Sequence, residues 1–373
     1  MAQEIGVAYV GCTHPHIFVR QQMLSALPDV RIVGAYDPDP ALTAALQERL
    51  GIRLFVTPED LLDHPDVTLA IVEGWDPDNP RYVRLAAERG RDVWLEKPGA
   101  PNLAAMRDLV RDLRDRDIVF EMGYMLRFSP VVPALRRILE SGVLGPLTLA
   151  RFHVTTPVGG SREPWQSVPG DLCGMLLTDC CHMFDLIIHL LGTPRAAKGM
   201  LLTLDPGPVV RAHGFKRDTL AGLGETIEMP LGGLRYEDGA AALLDYGSLL
   251  ATVDATGWDA QHWVEGWRLE FYGANGTLHA GVMPPWYRLF VRDSAAGHAP
   301  GWHTWKGSGT QGLAISLAPD AAYEAELRHT LRRVRTHDTA GNTQRLREAE
   351  TIVAMVDAIY RSATEQPPME LAL

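Results

Sequence analysis

Residues 5–24 read IGVAYVGCTHPHIFVRQQML, an apolar run that leads through a glycine turn into a helical pattern. The apolar part is short enough to be a buried strand, and Gly11 ends it. A second apolar strand, Val30–Tyr36, ends at Asp37. Strand and helix patterns then alternate at intervals of roughly 10–15 residues as far as residue 122, which is typical of βαβ units and a parallel sheet. Right-handed crossovers therefore predict a doubly wound α/β domain.

The pattern changes from about residue 125 onward. Leu147–Thr155 is a long alternating strand, and several more strand-like runs lie between residues 195 and 310 without helices between them. Such runs predict an α+β region with a large, mostly antiparallel open sheet covered on one face. One helix is predicted over residues 176–191. Residues 205–233, rich in glycine and proline, are predicted to form a long functional loop.

Composition limits the kinds of protein that this chain can be. Its 373 residues are 46% hydrophobic and 22% charged, which is enough apolar material for two cores and excludes a disordered chain. The net charge of -11 argues against nucleic acid and acidic membranes as main partners. No basic segment with a following apolar run opens the sequence, and no long apolar run occurs, so we expect a cytoplasmic protein without a signal peptide or membrane span.

The four cysteines suit reduced, buried thiols better than disulfides. Cys180 and Cys181 are adjacent, and with Cys173 and His182 they suggest a metal cluster. The CxxC spacing of such clusters is missing, so the sequence predicts no metal site.

The first turn has part of a dinucleotide-binding pattern. Only Gly11 of GxGxxG is present; Thr13 and His16 replace the other two glycines, with His14 between them. A plain connection between strand and helix would look similar. Asp37 lies where a carboxylate accepts hydrogen bonds from the adenosine ribose of NAD and repels the extra phosphate of NADP. The alternative is that Asp37 is an ordinary turn residue.

A second motif, Glu96-Lys97-Pro98, follows the strand Asp92–Leu95. A lysine at the carboxyl end of a parallel strand lies at the ligand-binding edge of the sheet. Pro98 restricts Lys97 to an extended conformation and permits a cis peptide bond. With these motifs, the chain resembles the glucose–fructose oxidoreductase / inositol dehydrogenase / MocA family of NAD(P)-dependent oxidoreductases. The resemblance is carried in order by IGVAYVGC, HPDVTLAIV, GRDVWLEKP, GYMLRFSPVVPALRRILESGVLGPL, LLTDCCHMFDLIIHLLG, LEFYGANGTLHA and AIYRSATEQ.

The resemblance implies a function and an organisation. The expected enzyme transfers a hydride between NAD, rather than NADP, and a secondary hydroxyl of a sugar, inositol or related polyol. Residues 1–126 would form the dinucleotide-binding Rossmann domain. Residues 127–373 would form the substrate-binding and oligomerisation domain of a homodimer or homotetramer, with the final helix packing back towards the first domain. Two alternatives stay open: a ligand sensor without turnover, and a redox-neutral, NAD-using glycosidase.

The resemblance also implies site residues. Lys97 matches a lysine that binds the substrate hydroxyl and the nicotinamide ribose, and His182 matches the general acid/base of the family. An imidazole that titrates near neutrality suits the exchange of a hydroxyl proton. Asp179, His182, Asp185 and His189 share one stripe of the predicted helix. A purely structural pairing of aspartate with histidine is the alternative.

Some positions differ from the family pattern. The family has an aspartate four residues before the histidine, whereas this chain has Thr178 there and the acid at Asp179. Residues 73–79 replace the family's Thr-Pro-x-x-x-His turn, and there Trp75 is expected to stack against the cofactor. The expected cofactor-binding residues are therefore Gly11, Thr13, His14, His16, Asp37, Trp75, Glu96, Lys97 and Pro98. His14 and His16 would contact phosphates if protonated, or would cap and pack the first helix.

Substrate contacts are predicted at the entry to the second domain. Tyr124 and Arg127 lie in GYMLRFSP, where an arginine can orient a polyol or a carboxylate; the alternative for Arg127 is an interdomain salt bridge. Trp165 is a candidate for stacking on a sugar, with a place in the core as its alternative. Asp179 and His182 complete the predicted substrate set. Lys97, His182 and Asp179 are the predicted catalytic residues.

Overall fold

The computed structural model describes residues 4–14, 16–156, 172, 174–214, 225–234, 236–259, 266–307 and 321–365. Trp165 and Cys173 lie outside these residues. The chain divides into two compact units. The first consists of residues 1–125 and 315–353, and the second of residues 126–314 and 354–373.

The first unit is built on a five-stranded parallel sheet of order β2-β1-β3-β4-β5. Its central strands are buried along their whole length, because helices on both faces cover a sheet of this kind. The strands are β1 (Ile5–Cys12), β2 (Val30–Tyr36), β3 (Leu69–Glu73), β4 (Asp92–Leu95) and β5 (Phe120–Met122). The helices between them are α1 (His16–Ser25), α2 (Pro40–Leu50), α3 (Pro58–Leu62), α4 (Asn79–Glu88) and α5 (Leu103–Leu113).

Local sequence signals set the ends of these helices. Asp39 caps α2 by accepting hydrogen bonds from the next amides, and Asn102 caps α5 in the same way. Gly51 ends α2 in the left-handed conformation that glycine adopts most easily. Leu54 makes an isolated bridge to Ala35 of β2.

Two helices from the end of the chain complete the first unit. They are α9 (Ala321–Thr336) and the first half of α10 (Asn342–Glu365), which continues into the second unit. The side chain of Asn342 bonds both the N–H of Phe120 and the carbonyl of Ile118. Arg333 donates to the carbonyl of Phe120 and to Glu121. These contacts fasten the end of the chain to β5, the edge strand of the sheet.

The second unit is built on an eight-stranded sheet. One pair of neighbouring strands, Leu147–Thr155 with Leu250–Thr256, is parallel, and the other pairs of this sheet are antiparallel. Its order is β15-β14-β13-β12-β6-β11-β10-β7. The strands are β6 (Leu147–Thr155), β7 (Ala196–Leu202), β10 (Gly239–Asp245), β11 (Leu250–Thr256), β12 (Trp267–Gly273), β13 (Gly276–Gly281), β14 (Trp286–Val291) and β15 (Gly301–Lys306). Its described helices in this part of the chain are α6 (Val132–Glu140), α7 (Met175–Thr178) and α8 (Cys181–Leu191), after a short 3-10 helix at Met125–Phe128. The predicted fold class is confirmed in both units.

Two sequence predictions in the second unit are wrong. The helix predicted over residues 176–191 is two helices, because the chain breaks at Asp179 and Cys180, where the Cys180 N–H reaches back to the carbonyl of Met175. The loop predicted over residues 205–233 contains two paired antiparallel strands, β8 (Val209–Gly214) and β9 (Glu225–Pro230). Among the described residues, the longest helices are too polar to serve as membrane spans.

Candidate functional site

The turn after β1 is held against the turn after β3 by close backbone contact. Gly11 has φ +73°, and a Cβ there would lie 2.4 Å from the Cα of Gly74, so only glycine fits. The amides of Thr13 and His14 both donate to the carbonyl of Glu73, at 2.9 and 3.1 Å, and the Thr13 hydroxyl donates to the same oxygen. The amides that follow Gly11 are therefore used inside the protein.

Asp37 lies at the end of β2 and is held in one orientation. One carboxylate oxygen accepts the N–H of Cys12 at 2.7 Å, and the other accepts the N–H of Asp39 at 2.9 Å. Burial, with the nearby charges of Asp37 and Glu73, raises the pKa of the Cys12 thiol well above its usual value. Cys12 is therefore a neutral thiol at this turn.

A buried ion network lies below the turn, and the sequence prediction missed its centre, Arg20. The guanidinium is fully buried; it contacts Glu73 at 2.5 Å and Glu96 at 2.7 Å, and it lies 3.9 Å from Glu326. Its carbon stands 4.3 Å from the centre of the Trp94 ring. Burial opposes the charge, yet the three carboxylates raise the pKa of Arg20 well above its usual value. The signal in the sequence was the one arginine of α1, directly after the apolar residues Ile17–Val19.

The same network shifts the pKa values of Glu73 and Glu96 in opposite directions. Burial raises the pKa of Glu73 to about 7, although Arg20 acts to lower it. Burial also acts to raise the pKa of Glu96, but His16, His14 and Arg20 outweigh burial and hold it well below the usual value. At neutral pH, Glu96 is therefore ionised and Glu73 is close to its midpoint.

His14 and His16 lie beside Glu96. His16 Nδ1 is 3.0 Å from one oxygen of Glu96, and His14 Nε2 is 3.9 Å from the other. The two imidazole centres are 4.1 Å apart, and Tyr323 packs edge-on against His16. Burial lowers the pKa of both histidines, with Glu96 acting in the opposite direction. Neutral imidazoles do not supply the positive charge that the phosphate-contact hypothesis requires.

Lys97 follows Glu96 at the carboxyl end of β4 and is buried. Its peptide bond to Pro98 is cis, as the sequence allowed. Trp75 lies in the turn after β3, and its carbonyl accepts the N–H groups of Asp78 and Asn79 at the start of α4. Tyr124 is buried just after β5. The first unit thus brings nearly all of the predicted cofactor-binding residues to the ends of its parallel strands.

In the second unit, α8 carries the predicted histidine. His182 is buried in its first turn, and its ring lies 6.2 Å from that of Trp267, edge to face. The N–H of His182 bonds the carbonyl of Asp179 at 3.2 Å, and the Asp179 carboxylate accepts the Thr178 hydroxyl at 3.4 Å. Because the helix breaks between them, Asp179 does not continue the stripe of α8 as predicted.

Arg127 forms a buried, two-point ion pair with Asp185 on α8. Its Nε lies 3.0 Å from one carboxylate oxygen, and its Nη2 donates to the other. Both residues belong to the second unit, so the alternative of an interdomain salt bridge is wrong for this pair. The polar residue Asp185 of α8 is therefore satisfied by pairing within its own unit.

Comparison with known proteins finds relatives of this chain. An inositol 2-dehydrogenase of Ralstonia nicotianae is 29% identical over 166 residues, which are 43% of this chain and 48% of the relative. The chain therefore spans about half the length of that relative. An inositol 2-dehydrogenase of Pseudomonas fluorescens is 24% identical over 343 residues, which are 87% of this chain and 95% of that protein.

Among solved structures, a levoglucosan dehydrogenase in complex with NADH and levoglucosan has a similar fold. Its TM-score is 0.73 at 16% identity, with 97% of this chain and 98% of that chain covered. Two family models also match: an oxidoreductase family with an NAD-binding Rossmann fold over residues 5–124, and a GFO/IDH/MocA C-terminal domain over residues 132–279. These matches confirm the predicted family and its NAD-binding Rossmann fold. The chain belongs to the GFO/IDH/MocA family of NAD-binding oxidoreductases.

Proposed function

We propose that this protein transfers a hydride between NAD and a secondary hydroxyl of a sugar, inositol or related polyol, with Lys97 and His182 at the reacting carbon. The observation that carries the proposal is Lys97 itself. It is a buried lysine at the carboxyl end of β4, next to an ionised glutamate and in the family's Glu-Lys-Pro motif. Ligands of doubly wound sheets bind at that edge.

The residues of the first turn fit the ribose end of NAD. The carboxylate of Asp37 is fixed by two backbone amides at the end of β2, the position where a carboxylate binds a ribose with two free hydroxyls. The turn also brings Gly11 and Gly74 together without side chains. The amides of Thr13 and His14, in contrast, are bonded to Glu73. The pyrophosphate would therefore be held by other groups, for which we propose the ring N–H groups of His14 and His16 as uncharged hydrogen-bond donors, with Trp75 packed against the cofactor.

The roles of the chain's own residues follow from their chemistry. When bound, NAD supplies the hydride acceptor or donor. The ammonium of Lys97 favours the alkoxide form of the substrate hydroxyl, because a nearby positive charge stabilises developing negative charge. His182 takes the hydroxyl proton in oxidation and returns it in reduction. Asp179, through its carbonyl, fixes the backbone of His182 at the start of α8.

The remaining predicted residues are proposed to shape the substrate pocket. Tyr124 offers a hydroxyl, and Trp165 a ring that could stack on a sugar. Arg127 is held by Asp185, so we propose that it presents a fixed positive charge to the substrate rather than a mobile one.

The experiment that tests the proposal measures binding and turnover separately. NAD at millimolar concentration should raise the melting temperature of the purified protein, and NADP should do so less. Polyols such as inositol should then produce NADH absorbance. Absence of any melting shift with NAD would contradict the proposal.

A second candidate function is a ligand sensor without turnover. The observation that favours it is the use of the Thr13 and His14 amides by Glu73, which removes donors that a dinucleotide normally uses. The same experiment distinguishes the two: a sensor gives a melting shift with a sugar or polyol but produces no NADH.

We also propose that the protein is a cytoplasmic homodimer or homotetramer that associates through its large sheet. Apolar side chains on one face of neighbouring strands are about half exposed, as shown by Met200 at 55%, Leu202 at 52%, Leu243 at 46% and Leu250 at 43%. A second copy would bury this surface. Light scattering on a sizing column would give the mass, and a monomer would contradict the proposal.

A further inference from the structure

His14, His16 and Glu96 form a compact group of metal-ligating side chains in the first unit. Each offers one ligand atom, and those atoms all lie within 4.8 Å of one another. They come from the first turn, the start of α1 and the end of β4. Parallel sheet topology therefore brings together residues that are 80 positions apart in the sequence.

Hydrogen bonding within the group is incomplete. Glu96 Oε1 is buried and has no hydrogen-bond partner among the residues that the structure describes. Glu96 Oε1 stands 3.9 Å from His14 Nε2, which is too long for a hydrogen bond. Two ligands bound to one ion at about 2.1 Å each lie roughly 3 to 4 Å apart. The distance of 3.9 Å between His14 Nε2 and Glu96 Oε1 therefore matches the distance between two ligands of one cation.

We propose that His14, His16 and Glu96 bind a divalent transition-metal ion. Two imidazoles and one carboxylate are a donor set that zinc and similar ions take, and three protein ligands leave at least one position open. Binding through His14 Nε2 and His16 Nδ1 places the ring proton of each imidazole on its other nitrogen. It replaces the hydrogen bond between His16 and Glu96 and the long 3.4 Å contact from the His16 N–H to His14 Nδ1.

An ion at the first turn would have a role in binding a phosphate group. The neighbouring amides of Thr13 and His14 are bonded to Glu73, so the turn offers few donors to a phosphate. A cation with an open position would supply positive charge at this place. This role rests on the proposed function, whereas the binding of the ion does not.

The test uses the full chain, stripped with a chelator and kept free of dinucleotide. Cobalt(II) is titrated in and followed by its visible absorption, and bound zinc is counted by mass spectrometry after desalting. H14Q and H16Q each remove one ligand. H64Q is the matched control, because His64 in the same unit also lies beside a carboxylate, 3.7 Å from Asp66, but belongs to no group of three ligands.

We expect one ion per chain in the unmodified protein and in H64Q, and an affinity at least about tenfold weaker in H14Q and H16Q. Circular dichroism checks that each variant is folded. His14 is 21% exposed and tolerates substitution better than His16, so H14Q keeps the test valid if H16Q does not fold. An unmodified protein that binds neither ion, or an H14Q that binds cobalt as tightly, would overturn the site. Neither result depends on NAD binding, which the melting experiment measures by itself.

Discussion

Glu73 combines full burial with a charged partner at the end of β3. Burial raises the pKa of its carboxyl group to about 7, and Arg20 opposes that shift without cancelling it. In the unfolded chain the carboxyl has an ordinary pKa, so between about pH 4.5 and 7 the folded protein holds a proton that the unfolded chain has lost. Glu73 therefore favours the folded state below this range, and the contribution is lost as pH rises through it.

We predict that the Glu73→Gln variant loses much of this pH dependence. In the unmodified protein, the free energy of unfolding should fall between pH 5 and 8 by an amount on the order of 2 kcal/mol because of this residue. The amide of the variant does not titrate, so its curve should be flatter over the same range. Urea unfolding at several pH values measures both curves, and parallel curves would contradict the assigned pKa shift.

Lys97 and His182 are predicted to act in chemistry rather than in folding. Lys97→Ala and His182→Ala should each lower kcat by a factor of about 100 or more, because each removes a group that acts on the hydroxyl proton or its charge. Melting temperatures should change little. His189→Gln, on the same helix as His182, is the control. This substitution should leave kcat unchanged. A folded His182→Ala enzyme with normal kcat would refute the acid/base assignment.

Asp37 is predicted to select NAD over NADP. Its fixed carboxylate would repel the additional phosphate of NADP. Asp37→Ala should therefore weaken NAD binding and narrow the difference between the two dinucleotides. Calorimetric titration with both measures this, with Asp39→Ala as a neighbouring control. If the unmodified protein already prefers NADP, the role of Asp37 is wrong.

At the scale of elements, α8 is fixed to the chain after β5 by the ion pair of Arg127 and Asp185. Both side chains are buried, so neither charge can be compensated by water if its partner is removed. We predict that Asp185→Ala destabilises the protein by about 3–5 kcal/mol. The double variant Arg127→Met with Asp185→Leu should recover much of that loss. Chemical unfolding measures the unmodified protein and both variants, and a double variant no more stable than Asp185→Ala would contradict the prediction.

Strands and helices could be predicted from the sequence where a single local pattern determined them. Buried parallel strands such as β1 and β4 are continuous apolar runs, and the glycine and proline signals around them are local. The break at Asp179 was not predictable, because apolar periodicity continues through it and only the backbone bond from Cys180 to Met175 reveals it. The strands β8 and β9 were hidden by glycines and prolines nearby.

Residues of the candidate site could be predicted where they belong to a local sequence motif. Asp37 and Lys97 follow directly from strands that the sequence marks clearly. Arg20 could not be assigned in this way, because its partners come from β3, β4 and α9, and no local pattern records contacts of such long range. The group of His14, His16 and Glu96 also depends on the ends of separate strands meeting in space.

At the scale of the whole molecule, the first unit is discontinuous in sequence. Its sheet and the helices α1 to α5 come from residues before 125, and two further helices come from residues after 315. Arg333 and Arg345 both pair with Glu121 on β5, and Arg333 also bonds the strand backbone. Without these helices, the buried Glu121 would lose its cationic partners.

We predict that a chain ending at residue 320 does not fold its first unit cooperatively. The loss of Arg333, Asn342 and Arg345 leaves the edge strand β5 and Glu121 exposed. Thermal unfolding and proteolysis compare this chain with one that ends at residue 365. Equal melting temperatures for the two chains would contradict the prediction.

The discontinuous unit also has a consequence for synthesis on the ribosome. Arg20 is made about 300 residues before Glu326, which at roughly 5–20 residues per second is a delay of about 15 to 60 seconds. Until Glu326 is made, Glu73 and Glu96 are the carboxylates of this network that can pair with Arg20. The nascent chain must keep its first strands from aggregating until its last helices emerge, and a chaperone that holds partly made chains would meet this protein early.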